Sequence, residues 1–221
     1  HLGDLAIVQC WPPSDVSTTI SSHLTNCHPI LPGILARLFN LMLRVGYVPN
    51  HFGESYTVPL LKVNSCSKNI SVDDFRGISI SPILSKIFEH CILHRFSNYF
   101  VSSDNQFGFK KSVGCSHAIY TVRSVVDQYV SNGSTVNLCA LDVSKAFDKM
   151  NHHGLFIKIM NRCLPVSLLS TLENWFSKCV TYVKWSGSCS NSFSITCGIR
   201  QGGVISPYLF AIYIDDLIID I

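Results

Sequence analysis

A chain of 221 residues with 47% hydrophobic side chains can fill one large core or two small ones, which excludes an intrinsically disordered protein. Only 14% of its residues are charged and its net charge is +3, so affinity for nucleic acid must come from local clusters, not from an overall basic field. Ten cysteines run from Cys10 to Cys197 without one Cys-x-x-Cys, which argues against a disulfide scaffold or zinc and for free, mostly buried thiols.

No signal peptide opens the chain, and no run of eighteen apolar residues free of charge occurs. Leu31, Ile34, Leu35, Leu38, Leu41, Met42 and Val45 recur at helical spacing, and Gly46 follows as a stop, so an amphipathic helix is predicted over 31–45. Lys62, Lys68 and Arg76 form a modest basic cluster around a predicted hairpin, and Lys110-Lys111 forms another. A second helix is expected from Ser81-Pro82, with proline at the first helical position and Leu84, Ile87, Phe88, Cys91, Ile92 and Phe96 on its buried side. His90 and His94 stand on it four apart, like a zinc pair, but Cys91-Ile92-Leu93 between them has no Glu as general base, which favours surface or satisfied histidines.

A third helix is predicted from about Ser116 to Val130, and a fourth and fifth broken at Pro165. Val136–Leu141, after the turn signal Asn132-Gly133-Ser134, reads as a buried strand that would deliver Asp142 to its carboxyl end, where α/β sheets place ligands. Between Val180 and Thr196 a hairpin is expected at Ser186-Gly187-Ser188. The apolar stretch after Val204 carries Asp215, Asp216 and Asp220, which argues for a packed helix, not a membrane span. The chain begins at His1 and stops inside this stretch, so it reads as a piece of a longer protein.

Asp142 by itself has two readings: a cap of the following turn, or a ligand of a hard divalent cation. A second constellation bears on the choice: Gly198-Ile-Arg-Gln201-Gly202-Gly203-Val-Ile-Ser206-Pro207-Tyr-Leu209-Phe210. Together with Asp142-Val-Ser-Lys-Ala-Phe147-Asp148 it resembles the reverse transcriptases of non-LTR (LINE-like) retrotransposons. The likeness continues upstream in the family's order, through Val58-Pro59-Leu-Leu-Lys62, Asp74-Phe75-Arg76-Gly77-Ile78-Ser79, Ser85-Lys86-Ile87-Phe88-Glu89 and Gln106-Phe107-Gly108-Phe109-Lys110. Two departures stand out: Gly77 where the family usually has Pro, expected to loosen a turn, and Arg200-Gln201-Gly202-Gly203 where Pro-Gln-Gly-Ser is frequent.

The resemblance implies an α/β (α+β) right-hand polymerase fold with helical fingers and a partial palm sheet, truncated before the second catalytic carboxylate motif and the thumb. It divides the chain into an N-terminal helical extension over 1–50 and a reverse transcriptase domain over 51–221, with fingers 51–134 and partial palm 135–221. The function implied is RNA-directed DNA polymerisation on an RNA template and DNA primer with deoxynucleoside triphosphates, no membrane being involved. Two Mg2+ ions are the implied cofactor, held about 3.5–4 Å apart in such sites. Asp142 would be the catalytic metal-binding carboxylate, and the backbone carbonyl of Val143 a further metal ligand. Phe147, five residues on, would lie against the sugar of the incoming nucleotide and exclude a 2′-hydroxyl. Lys62 and Arg76 would clamp the triphosphate, and Gln201 and Gly202 would contact nucleotide or template without reading a base. Lys110 is a weaker candidate for such contact, while Lys145 and Asp148 are assigned to local structure.

The parent element would act in cytoplasm and nucleus, and this piece alone would be inactive. A catalytically dead nucleic-acid-binding remnant and a group II intron maturase remain alternatives. Tyr213-Ile214-Asp215-Asp216 mimics a catalytic Tyr-x-Asp-Asp, but Leu209, Ile212, Tyr213, Leu217 and Ile218 recur at helical spacing, so both aspartates are expected on a helix.

Overall fold

Apolar side chains three and four apart from Ile30 onward form α1 (Ile30–Val45), which stops where Gly46 turns left-handed at φ 67° and donates its N–H to the Met42 carbonyl. The computed structural model describes residues 26–62, 70–110 and 112–219, excepting the side chains of 218 and 219. Expectations for residues 1–25 and for Lys68, Lys111 and Asp220 lie outside the described residues. The buried face of α1 is Leu35, Ala36, Phe39, Met42 and Leu43, whereas Ile34, Leu41 and Val45 are exposed. The helix has apolar residues on two faces, and packing against α6, not spacing, selects between them.

A one-turn helix α2 (Asn50–Gly53) leads into β1 (Glu54–Leu61), and a short 3-10 turn, Val72–Asp74, precedes β2 (Phe75–Ile80). The two strands pair antiparallel, with Pro59 opposite Gly77. Gly77 is therefore mid-strand and not in a turn, and a Cβ there would come within 2.9 Å of the Thr57 methyl. Helix α3 (Ile83–Arg95) follows, with Pro82 as its extended N-cap and not its first helical residue. Ile87, Phe88, Cys91 and Ile92 are buried as expected, but Leu84 is exposed and Ser85 and Glu89 are buried instead.

Helix α4 (Cys115–Ser131) buries none of its residues. The segment 136–141 after it corrects the strand expectation: it forms no regular secondary structure and pairs with no strand, with Leu138 71% and Leu141 86% exposed. Strand character depends on a ladder partner, and none of the described residues offers one. Helices α5 (His152–Asn161) and α6 (Val166–Ser177) are separated at Pro165, the N-cap of α6. Strand β3 (Val180–Trp185) pairs parallel with β1, Glu54 opposite Val180, and turns back into β4 (Ser188–Cys189). That turn is Ser186 and Gly187, both left-handed at φ 44° and 87°, the geometry that two-residue hairpins favour. β5 (Phe193–Ser194) also pairs with β3, completing a sheet of order β2-β1-β3-β4, and α7 (Ser206–Ile219) ends the described chain.

Phe39, Phe52, Phe88 and Trp175 meet in the core. Phe88 stacks on Trp175 at 5.5 Å and meets Phe39 at 4.9 Å with the rings tilted by 39°, and the Trp175 indole N–H donates to the Phe52 carbonyl at 2.9 Å. Each such buried ring contributes about 2–3 kcal/mol by removing apolar area from water. This core joins α1, α2, α3 and α6, and the edge strand of the sheet, β2, meets the Gln201 loop. Of the described cysteines only Cys91 and Cys179 are buried; Cys115, Cys139, Cys163, Cys189 and Cys197 are exposed. No disulfide joins the described cysteines, but the expectation that they are mostly buried fails, because five of them sit on α4, in loops or on short edge strands with no core to enter.

Candidate active site

An open cleft of about 700 Å³ lies where the edge of the sheet meets the turn that follows Asp142. Lys62, at the end of β1, Arg76, on β2, Phe147, from the 144–148 turn, and Gln201, from the loop before α7, all line it. Four separate stretches of sequence thus converge on one concavity. Thr57 on its floor shares hydrogen bonds with the Thr181 hydroxyl at 3.0 Å and the Ser79 hydroxyl at 3.4 Å, tying β1 to both neighbouring strands.

The Gln201 loop is fastened to β2 by its backbone. The Ser79 N–H donates to the Gln201 carbonyl at 2.6 Å. Gly202 follows at φ 110°, and a Cβ there would stand 2.6 Å from the Ser79 carbonyl. The close approach that the glycine permits is thus, in this structure, to the chain's own β2. The Gln201 amide also reaches the Asp148 carboxylate at 3.4 Å.

Phe147 is half-buried in an aromatic trio with Phe109 and Phe210. The Lys62 ammonium donates to the Asp73 carbonyl at 2.6 Å, and its own N–H to the Asp74 carbonyl at 2.9 Å, so the lysine is braced across the base of the β1–β2 connection. Arg76 is exposed. Lys110 donates to the Ser103 carbonyl at 2.5 Å and does not line this cleft.

Asp142 and Val143 are not among the cleft-lining residues; both are exposed in the irregular segment before the 144–148 turn. A carboxylate and a carbonyl oxygen are the right donors for a hard cation, but two are too few. Among the described residues no group of three or more His, Cys, Asp or Glu could hold a metal ion. Asp215 and Asp216 lie within α7. Asp215 is buried, accepting the Ser103 N–H at 2.8 Å and an Arg162 N–H at 2.6 Å, while Asp216 pairs with Lys158 at 3.0 Å. Arg162 and Lys158 take up the carboxylates of the Tyr-x-Asp-Asp lookalike within the fold.

Two features escaped sequence reasoning. Glu89, fully buried on α3, accepts the Ile205 N–H at 2.8 Å just before α7 and faces Arg200 at 3.7 Å, while its other oxygen, Oε1, has no hydrogen-bond partner. Burial pushes its carboxyl above the ordinary range, partly opposed by the Arg200 charge and by N–H groups of Ile205 and Val204. The signal was present: position 89 falls on the same helical face as Ser85 and Ile92. The second is Lys145, whose ammonium meets the Asp73 carboxylate at 2.6 Å. That hydrogen bond and charge hold Asp73 below the ordinary carboxylate range and raise Lys145.

Residues 64–221 match the reverse transcriptase (RNA-dependent DNA polymerase) family, and the chain belongs to it. Its relatives are the RNA-directed DNA polymerases of non-LTR retrotransposons. The RNA-directed DNA polymerase from mobile element jockey of Drosophila melanogaster is 28% identical over 187 residues, covering 83% of this chain and 20% of the relative. The Pol polyprotein from the type-2 retrotransposable element R2DM of the same organism is 26% identical over 186 residues, 84% of this chain and 17% of the relative. That of the type-1 element R2 of Nasonia vitripennis is 21% identical over 203 residues, 92% and 19%. The chain therefore spans about a fifth of the length of the relatives it matches. The family as such works with divalent metal ions, a nucleic-acid template and primer, and nucleotides.

Proposed function

We propose that this chain forms the fingers and the first part of the palm of an RNA-directed DNA polymerase from a non-LTR retrotransposon, and that its cleft receives the deoxynucleoside triphosphate. The observation that carries this is the convergence of Lys62, Arg76, Phe147 and Gln201 on one concavity. Two cations and an aromatic ring on one lining match a ligand with a polyanionic tail and a sugar. Residues 51–134 would be fingers and 135–221 partial palm, preceded by an extension over 1–50.

Asp142 and the Val143 carbonyl supply the first donors for Mg2+. The unpaired 136–141 segment and the uncovered α4 support the reading that the remaining palm strands, the second carboxylate motif and the thumb belong to further parts of the parent. When bound, the two ions would stabilise the attacking and leaving oxygens of nucleotidyl transfer. This chain's own contribution is to seat the triphosphate, exclude a 2′-hydroxyl and lay the Gln201 loop beneath the base. In a full-length parent, Asp142→Asn should abolish RNA-templated primer extension and leave template binding nearly intact, because contacts to phosphate are spread over many side chains. Extension that persists in that variant overturns the assignment.

A further inference from the structure

Asp73 and Lys145 stand 72 residues apart in the chain and on different segments bordering the cleft, yet their side chains meet at 2.6 Å. Asp73 belongs to the 3-10 turn before β2, and Lys145 opens the turn that carries Phe147. The same aspartate holds the second cleft lysine, since its backbone carbonyl accepts from the Lys62 ammonium. One residue therefore occupies both described lysines that line the cleft, one with its carboxylate and one with its carbonyl.

Lys145 reaches this position at φ 53°, a conformation that non-glycine residues seldom adopt, with its carbonyl accepting the N–H groups of Asp148 and Lys149. Both partners are well exposed, the side chains at 56% and 72%, so their attraction is weak and screened. A weak pair at the edge of a cationic cleft yields readily to an anion of higher charge.

We infer that Asp73 is an internal stand-in for phosphate: it straps Lys145 across the cleft, and a polyphosphate ligand displaces it and takes over the lysine. Lys145 is then a triphosphate-binding residue beside Lys62 and Arg76, and Asp73 a built-in competitor that sets how much anion the cleft needs before it opens. This rests on the reading of the cleft as a nucleotide site. A purely local role for the pair makes a different prediction, because removal of either partner would then loosen the 144–148 turn in the same way. The strap requires the two removals to act in opposite directions.

The test is calorimetric titration of the chain, without divalent cation, with sodium tripolyphosphate and separately with dATP. Asp73→Asn should tighten tripolyphosphate about three- to fivefold, the range that an exposed ion pair can withhold, and Lys145→Gln should weaken it by a similar factor. The double variant should resemble Lys145→Gln. Changes of the same sign in the two single variants, or no change in Asp73→Asn, overturn the strap. dATP binding that responds to Gln201→Ala but not to Asp73→Asn or Lys145→Gln also overturns the strap, and leaves the nucleotide reading standing. Opposite shifts for tripolyphosphate, with dATP no tighter than tripolyphosphate and indifferent to Gln201→Ala, support the strap and overturn the nucleotide reading. Absence of binding of either anion to the unsubstituted chain overturns both.

Discussion

The Phe147 ring stacks on Phe210 with centroids 4.7 Å apart and 21° between the planes, while Phe109 meets both rings edge-on. A residue proposed to judge the nucleotide sugar is thus held from behind by the first turns of α7. Stacked and edge-to-face rings contribute about 0.5–1.5 kcal/mol beyond the area they bury. In a full-length parent, Phe147→Val should admit ribonucleotides while largely retaining deoxynucleotide use. Phe210→Leu keeps an apolar side chain behind Phe147 but loses the stack, so it should relax discrimination several-fold less. Single-nucleotide incorporation with ribo- and deoxynucleotides measures both, and unchanged selectivity in Phe147→Val would end the gate assignment.

Glu89 ties α3 to the loop before α7 through a carboxylate with no exposure. Glu89→Ala leaves Arg200 without its counter-charge and should destabilise the chain by about 3–5 kcal/mol, read as a lower urea midpoint.

The raised Glu89 pKa also predicts a pH dependence. The folded state binds this proton more tightly than the unfolded state, so the stabilisation is complete in acid, below the ordinary carboxylate range, and is lost as pH rises through the raised value. Relative to Glu89→Gln, which has no such proton, the urea midpoint of the unsubstituted chain should fall across that window. A difference between the two that stays flat with pH would be inconsistent with the buried, titrating carboxyl.

Gly202→Ala should cost about 1–3 kcal/mol, because φ 110° disfavours any side chain and the new Cβ would press on the Ser79 carbonyl. Hydrogen exchange should show faster exchange of the Ser79 amide in this variant. Unchanged protection there would mean that the loop adjusts without releasing β2.

The isolated chain should not extend a primer on RNA with magnesium and deoxynucleotides, since one carboxylate and one carbonyl cannot hold two ions in line. Radiolabelled primer extension tests this. Robust extension that depends on Asp142 would show that the described donors suffice.

Local signals were legible where short-range chemistry decides the outcome. Gly46 stops α1, Ser186-Gly187 turns β3 into β4, and the helical spacing around Asp215 and Asp216 kept them out of a hairpin. The segment 136–141 was misread because its apolar run says nothing about a partner strand, and a strand exists only through its ladder. Exposed Ile34 and Leu84 failed for a related reason: which of two apolar faces is buried depends on packing between elements distant in sequence. The cleft residues Lys62, Arg76, Phe147 and Gln201 were nameable only through ordered motifs; the burial of Glu89 had a helical-face signal, but its pairing with Arg200 and that of Asp73 with Lys145 needed geometry, since partners 111 and 72 residues apart leave no periodic trace.

The parallel pairing of β1 with β3 also bears on how the chain is made. Ser55 bonds to the Val180 carbonyl 125 residues further along, so that edge of β1 waits while α3 to α6 are synthesised. At ribosomal rates of about 5–20 residues a second, the wait is roughly 6–25 s. During that time the β1–β2 ribbon presents an open edge to any other nascent chain. Variants that weaken β3 should therefore show their defect first in yield from translation, before any loss is visible in the finished fold.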